Sequence, residues 1–278
     1  MYSYQSIIVP TLAEVSEEQL RAFTCQPVLT ETVALRKNSL LFWEEHYLRL
    51  MASMRILRMK IPLNFTMEYL EEKANELIEA SGANHSYALV SFNVVRETAP
   101  TLKNPLPESF LSISYQTREE GFFCKNDLLP IELYKDHFLS EGLYSSLSSV
   151  NSHFYSMAWV FAHENGYQDA FILNENKEVV ETLRGSLFLV NKNHITTPPV
   201  YKGGRKGVYR NLLFSTIEKS DKFTIEEKSI SPFSLQKSDE IFVLEDTLGI
   251  HSISKYRKKH FSNSQAQTIF RLLLEEFN

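Results

Sequence analysis

Only nine of the 278 residues are glycine, where average usage near 7% would give about 19. Five of the nine, Gly166, Gly185, Gly203, Gly204 and Gly207, fall in one stretch. Glycine takes positive φ without steric cost and lets a ligand approach the backbone closely. A backbone-lined site is therefore expected in that stretch, and the first half of the chain has little glycine to offer one. The length suits one large domain or two ordinary ones. A formal charge of −5, with 23% charged and 43% hydrophobic residues, argues against disorder and against a basic nucleic-acid-coating protein.

Cys25 and Cys124 are the two cysteines. They lie far apart and follow no metal spacing, and no signal segment opens the chain, so a reducing, cytoplasmic compartment is expected. No run approaches the roughly 18 apolar residues that a membrane-spanning helix needs.

Short β-compatible runs at Ser6 to Val9 and Val28 to Leu35, with a turn at Asn38-Ser39, predict an antiparallel meander. Helical spacing follows from Glu44 to Met59 and from Met67 to Ile78, ahead of Gly82. Tyr87 to Val95 and Phe110 to Tyr115 read as strands around a proline-rich loop, and the first domain is expected to end near Thr117. In the second half the pattern predicts a helix from Ser148 to Asn165, then strands at Ala170 to Leu173 and Ser186 to Val190. A helix from Val208 to about Lys219, a strand at Glu240 to Leu244 and a closing helix from Ser264 to Phe277 complete it. The fold class read from this order is α+β in two domains, residues 1–117 and 118–278.

The chain contains no phosphate-loop lysine motif, no His-Glu-x-x-His and no Gly-x-Ser-x-Gly. What stands out is the loop Gly203-Gly204-Arg205-Lys206-Gly207, which opens onto the helix at Val208. Free amides at a helix start, with Lys202, Arg205, Lys206 and Arg210 around them, suit an anion. An ordinary left-handed turn carrying solvated lysines has the same composition.

His46-Tyr47-Leu48-Arg49-Leu50-Met51-Ala52-Ser53, Glu181 followed by Leu187-Phe188, Pro198-Pro199, Gly207-Val208-Tyr209-Arg210 and Asp239-Glu240-Ile241-Phe242 occur in an order that resembles the class IV aminotransferases. These are the fold type IV pyridoxal phosphate enzymes, among them branched-chain and D-amino acid aminotransferases and 4-amino-4-deoxychorismate lyase. The stretch from Thr247-Leu248-Gly249-Ile250 through Tyr256-Arg257-Lys258-Lys259 looks most like the lyase branch. The resemblance implies a two-domain D-amino acid aminotransferase-like architecture, a homodimer, a small-molecule carboxylate or phosphate ligand, and neither nucleic acid nor membrane as partner. It implies that Arg49 meets the cofactor phosphate and that Glu181 holds the pyridine nitrogen protonated. Gly207, Val208, Tyr209 and Thr247 would complete the phosphate cup, with Tyr209 standing where threonine is usual.

One position breaks the pattern. The family's aldimine lysine falls on Ser148 when Asn151 and Gly166 are held in register, and no lysine lies between Lys135 and Lys177. A hydroxyl cannot form an imine and is too weak a base to move an α-proton. The resemblance thus implies pyridoxal phosphate held non-covalently if at all, and standard turnover lost or impaired. Lys202 and Lys206 are the neighbouring lysines that could substitute, from the phosphate side. Leu183 and Arg184 stand where small hydroxyl residues usually line the cofactor, and Arg96 is either a substrate-carboxylate partner or surface charge. Two further readings stay open: a binding or regulatory module for a phosphorylated metabolite, and a structural dimer partner.

Overall fold

Most of the left-handed turn positions in the first unit are taken by residues other than glycine, with Gly82 the exception. The computed structural model describes residues 2–4, 7–9, 29–82, 87–119, 121–128, 130–147 and 151–277. Ser148, Cys25 and the segment 10–28 lie outside these described residues. Intrachain contacts divide the protein into Met1–Gly121 and Phe122–Asn278, a boundary slightly beyond the expected Thr117.

The first unit carries one antiparallel sheet in the order β2-β1-β6-β5-β3-β4. Its strands are β1 (Tyr2–Tyr4), β2 (Ile7–Val9), β3 (Leu29–Arg36), β4 (Ser39–Leu40), β5 (Tyr87–Arg96) and β6 (Ser109–Thr117). The hairpin between β3 and β4 turns on Lys37 and Asn38, at φ 50° and 61°, one residue earlier than the expected Asn38-Ser39. A two-residue hairpin loop with both φ positive matches the strand twist, and asparagine tolerates that region.

Two helices cover the sheet. Helix α1 (Trp43–Ile56) has Glu44 and Glu45 in its first turn and Arg55 in its last, complementing the helix dipole. It ends before the expected Met59, because Arg58 adopts φ 48°. Helix α2 (Met67–Ala80) is capped by Thr66, whose Oγ1 accepts from the Tyr69 amide at 3.2 Å. Leu50, Met54, Leu70, Ala74 and Leu77 pack onto Val33, Val90, Phe92 and Val94.

The second unit contains a six-stranded mixed sheet, β13-β12-β11-β14-β15-β7, and a three-stranded sheet, β10-β9-β8. The strands are β7 (Phe123–Leu128), β8 (Glu132–Leu133), β9 (Ala170–Leu173), β10 (Val179–Thr182), β11 (Ser186–Asn191), β12 (His194–Thr197) and β13 (Thr224–Glu227), then β14 (Glu240–Glu245) and β15 (Gly249–Ile253). The ribbon β16 (Lys255–Tyr256) and β17 (Lys259–His260) follows. Its helices are α3 (Ser152–Glu164), α4 (Val208–Glu218), α5 (Pro232–Lys237) and α6 (Ser264–Glu275). Strand β7 forms in a stretch between Thr117 and Ser148 for which the sequence pattern predicts no strand. Its parallel pairing with β15 is a long-range choice that local composition does not announce.

Two motif residues have structural work. Gly249 sits at φ +104°, and a Cβ there would run into the Phe123 carbonyl of β7. Glu240, 1% exposed, accepts from the amides of Gln265 and Ala266 and from the hydroxyls of Ser262 and Ser264. A carboxylate from β14 thereby caps α6 from another part of the chain, satisfying amides that the helix cannot satisfy itself.

Candidate functional site

The amides at the start of α4, where the sequence suggests an anion cup, are taken by one of the protein's own side chains. Strands β14 and β15 pair through Glu245 and Gly249, so residues 246–248 form the loop between them. Asp246, first in that loop, reaches the start of α4. Its Oδ2 accepts from the Val208 amide and its Oδ1 from the Tyr209 amide, each at 3.1 Å. Gly207 supplies no side-chain cap; the Asp246 carboxylate does so, with the favourable charge for a helix N-terminus. A Cβ on Gly207 would lie 2.8 Å from Asp246 Oδ1, so this approach requires glycine.

The other cup residues divide. The Tyr209 ring is fully buried against Phe122 and Phe277, leaving its amide as the part that faces the cup. Thr247 donates its hydroxyl to Glu245 Oε1 at 3.1 Å. Arg210, expected to add positive field, is instead buried and donates to the Pro198 carbonyl at 3.0 Å and to Glu227 at 2.6 Å. Lys202 pairs with Glu141 at 3.1 Å and Glu178 at 3.3 Å. The hydrogen bonds that its ammonium donates to those carboxylates raise the lysine's pKa, which disfavours the neutral amine that imine formation needs.

Glu181 lies on β10, where the pairing with β9 shifts register between Val179 and Glu181, the kind of irregularity that re-aims a side chain. Its carboxylate is 1% exposed and fully engaged. Oε1 accepts from the Tyr155 hydroxyl at 2.6 Å. Oε2 accepts from the Arg205 amide at 2.8 Å and from Arg205 Nε at 3.0 Å. The same guanidinium donates to the Thr182 and Leu183 carbonyls at 2.7 and 2.8 Å and lies 5.0 Å from the centre of the Tyr155 ring. Burial and the Glu181 charge push the Tyr155 hydroxyl well above its usual range, which keeps it a donor. For Arg205 burial works against the charge, and Glu181 outweighs it.

Beneath this pair, Asp169 is 2% exposed and accepts from the amides of Ala170 and Leu183 at 2.7 and 2.9 Å. Burial pushes its carboxyl up from 3.8 to about 6, against the opposing hydrogen bonds and the charges of Arg184 and Arg205. A raised carboxyl favours the fold at low pH: its contribution is complete below the ordinary value and lost as pH rises through about 6. Asp169→Asn keeps an oxygen for both amides. It is expected to remove a stability decline of about 2 kcal/mol between pH 4 and 7, measured by urea unfolding at each pH; an unchanged pH slope would refute the assignment.

In the first unit, Arg49 donates to Glu31 through Nη2 at 2.6 Å and Nε at 3.0 Å. His46 Nδ1 lies 2.5 Å from the same carboxylate. Burial raises the Glu31 carboxyl, but the Arg49 charge and the His46 hydrogen bond together hold it below its ordinary value. Arg96 donates to the Leu57 carbonyl at 2.7 Å. Leu183 is buried beside Tyr155 and Ala158, and Arg184 lies over the Trp159 ring.

The donor set matches pyridoxal phosphate in kind, with paired amides for an anion and a carboxylate for a protonated ring nitrogen. As it stands it does not fit that group, because Asp246 holds the amides and Arg205 holds the carboxylate. Asp246, Arg205, Tyr155 and Glu31 were not identified as partners from sequence.

The family model for amino-transferase class IV matches residues 28–256. A putative branched-chain-amino-acid aminotransferase of Methanocaldococcus jannaschii is 27% identical over 132 residues, 48% of this chain and 44% of its own length. The chain thus matches less than half of that relative. Among solved structures, an aminotransferase from Brucella abortus bound to the cofactor PLP superposes with TM-score 0.80 at 14% identity, covering 99% of this chain and 98% of that one. A putative 4-amino-4-deoxychorismate lyase from Legionella pneumophila gives 0.75 at 22% identity, covering 92% and 93%. At these identities the structural matches show the fold, whereas the family model covers most of the sequence. The protein belongs to the class IV aminotransferase family.

Proposed function

We propose that this chain is an aminodeoxychorismate lyase- or aminotransferase-like member of the family that no longer performs aldimine-based turnover. Pyridoxal phosphate is the family's cofactor, and the second-unit groups of the kind that would hold it, Glu181 and the amides of Val208 and Tyr209, are engaged by Arg205 and Asp246. None of them can bond it covalently. The observation that carries the reading is the absence of any lysine between Lys135 and Lys177, with Ser148 at the aldimine position. Lys202 does not repair it, since two carboxylates keep its ammonium charged. On this reading the protein is a cytoplasmic homodimer that recognises a small carboxylate compound. No helix among the described residues is long and apolar enough to cross a membrane.

The test is chemical. Purified protein incubated with pyridoxal phosphate and reduced with borohydride is expected to yield no phosphopyridoxyl-lysine peptide from the pocket by mass spectrometry, and no transfer of amino groups to keto acids. A stoichiometric pocket adduct, or turnover that depends on added cofactor, would overturn the reading. A regulatory module for a phosphorylated metabolite is supported less well, because such a ligand requires the amide pair that Asp246 holds.

A further inference from the structure

The second unit carries two internal groups whose charges match those of the family's cofactor. A carboxylate lies on the amide pair at the start of α4, where a phosphate would go. A guanidinium lies on Glu181, where a protonated ring nitrogen would go. We propose that Asp246 and Arg205 are built-in ligands that close this site to dianionic phosphates, and that Asp246 determines the exclusion.

Three observations converge. First, the Asp246 geometry is two-pronged, one oxygen to each amide at equal distance, and Gly207 leaves room for that carboxylate. Second, three of the four cations expected to attract an anion are spent elsewhere: Lys202 on Glu141 and Glu178, Arg205 on Glu181 and Arg210 on Glu227. Asp246 answers the positive field of the helix end. Third, Arg205 is held on Glu181 by its own backbone amide as well as by its side chain, and its Nη2 donates to two carbonyls. An incoming ring would have to break that set. A dianion entering beside Asp246 meets a like charge on the donors it needs, and like-charge juxtaposition costs several kcal/mol.

The inference rests on the family assignment but not on the loss of turnover, so the two fail separately. Titration calorimetry of the full chain at low ionic strength uses inorganic phosphate, pyridoxal phosphate and pyridoxal as probes. Wild type is expected to show no saturable binding of inorganic phosphate. Asp246→Asn removes the charge and keeps an oxygen at the helix start, so the variant is expected to fold and to bind inorganic phosphate at least about tenfold more tightly. Asp246→Ser is the second variant, with the same expected direction. Arg205→Leu combined with Asp246→Asn is expected to improve pyridoxal phosphate further while leaving inorganic phosphate unchanged. Pyridoxal, without a phosphate, is expected to gain nothing from Asp246→Asn. Saturable phosphate binding by wild type at the affinity of both Asp246 variants would overturn the proposal. So would an equal gain for pyridoxal and pyridoxal phosphate. A reducible lysine adduct would overturn the turnover reading while leaving the role of Asp246 to these titrations.

Discussion

Glu181→Ala is expected to destabilise the second unit by about 3–5 kcal/mol, the largest effect of any single substitution in the site. The carboxylate it removes is buried and accepts three hydrogen bonds, from Tyr155, the Arg205 amide and Arg205 Nε. The loss leaves a guanidinium, a buried hydroxyl and a backbone amide without their acceptor, and it is this desolvation of abandoned partners that sets the magnitude. A domain stable by about 5–15 kcal/mol gives up a large part of that. Urea unfolding followed through the second unit checks it. The double variant Glu181→Leu with Arg205→Leu is expected to recover most of the loss, because replacing both members of a buried pair with apolar groups is often close to neutral. A loss below about 1 kcal/mol in the single variant would mean that the pair is solvated and weak.

Glu31→Ala is expected to cost the first unit about 3 kcal/mol, toward the lower end because the Arg49 side chain is 25% exposed and can turn to water. His46 cannot, being fully buried. The pH dependence runs opposite to that of Asp169. The Glu31 carboxyl sits below its ordinary value of 4.5, so its contribution is complete above that value and lost as pH falls through the folded pKa. Acid titration of the wild type should therefore show a stability loss that Glu31→Ala lacks. The identical acid slope in both proteins would remove the assignment.

Local physical chemistry was enough for the elements with strong internal periodicity. Helices α1 and α2, with apolar residues at helical spacing and a Thr66 cap, are legible because neighbours along the chain decide them. Strands β3, β5 and β6 are legible for the same reason. Strands β7, β10, β13 and β15 are short or polar, and their existence depends on a partner distant in sequence, such as the parallel register of Gly249 on Phe123. The site follows the same division. Arg49, Glu181 and the Gly207-Val208-Tyr209 helix start could be named from motif order, and the absence of lysine between Lys135 and Lys177 is a property of the sequence alone.

What occupies those positions was decided only by the tertiary structure. Residue type says that Glu181 is a carboxylate and Arg205 a cation; it does not say that one ends on the other, because 24 residues separate them in sequence. The 37-position separation of Tyr209 and Asp246 hides the third partner in the same way. Sequence determined the family, the glycine-led start of α4 and the lysine-free stretch between Lys135 and Lys177, all of which are carried by residue identity and local spacing. Whether the cup stands open or holds its own counter-ion depends on which distant side chain the packing delivers to two free amides, and here the fold delivers Asp246.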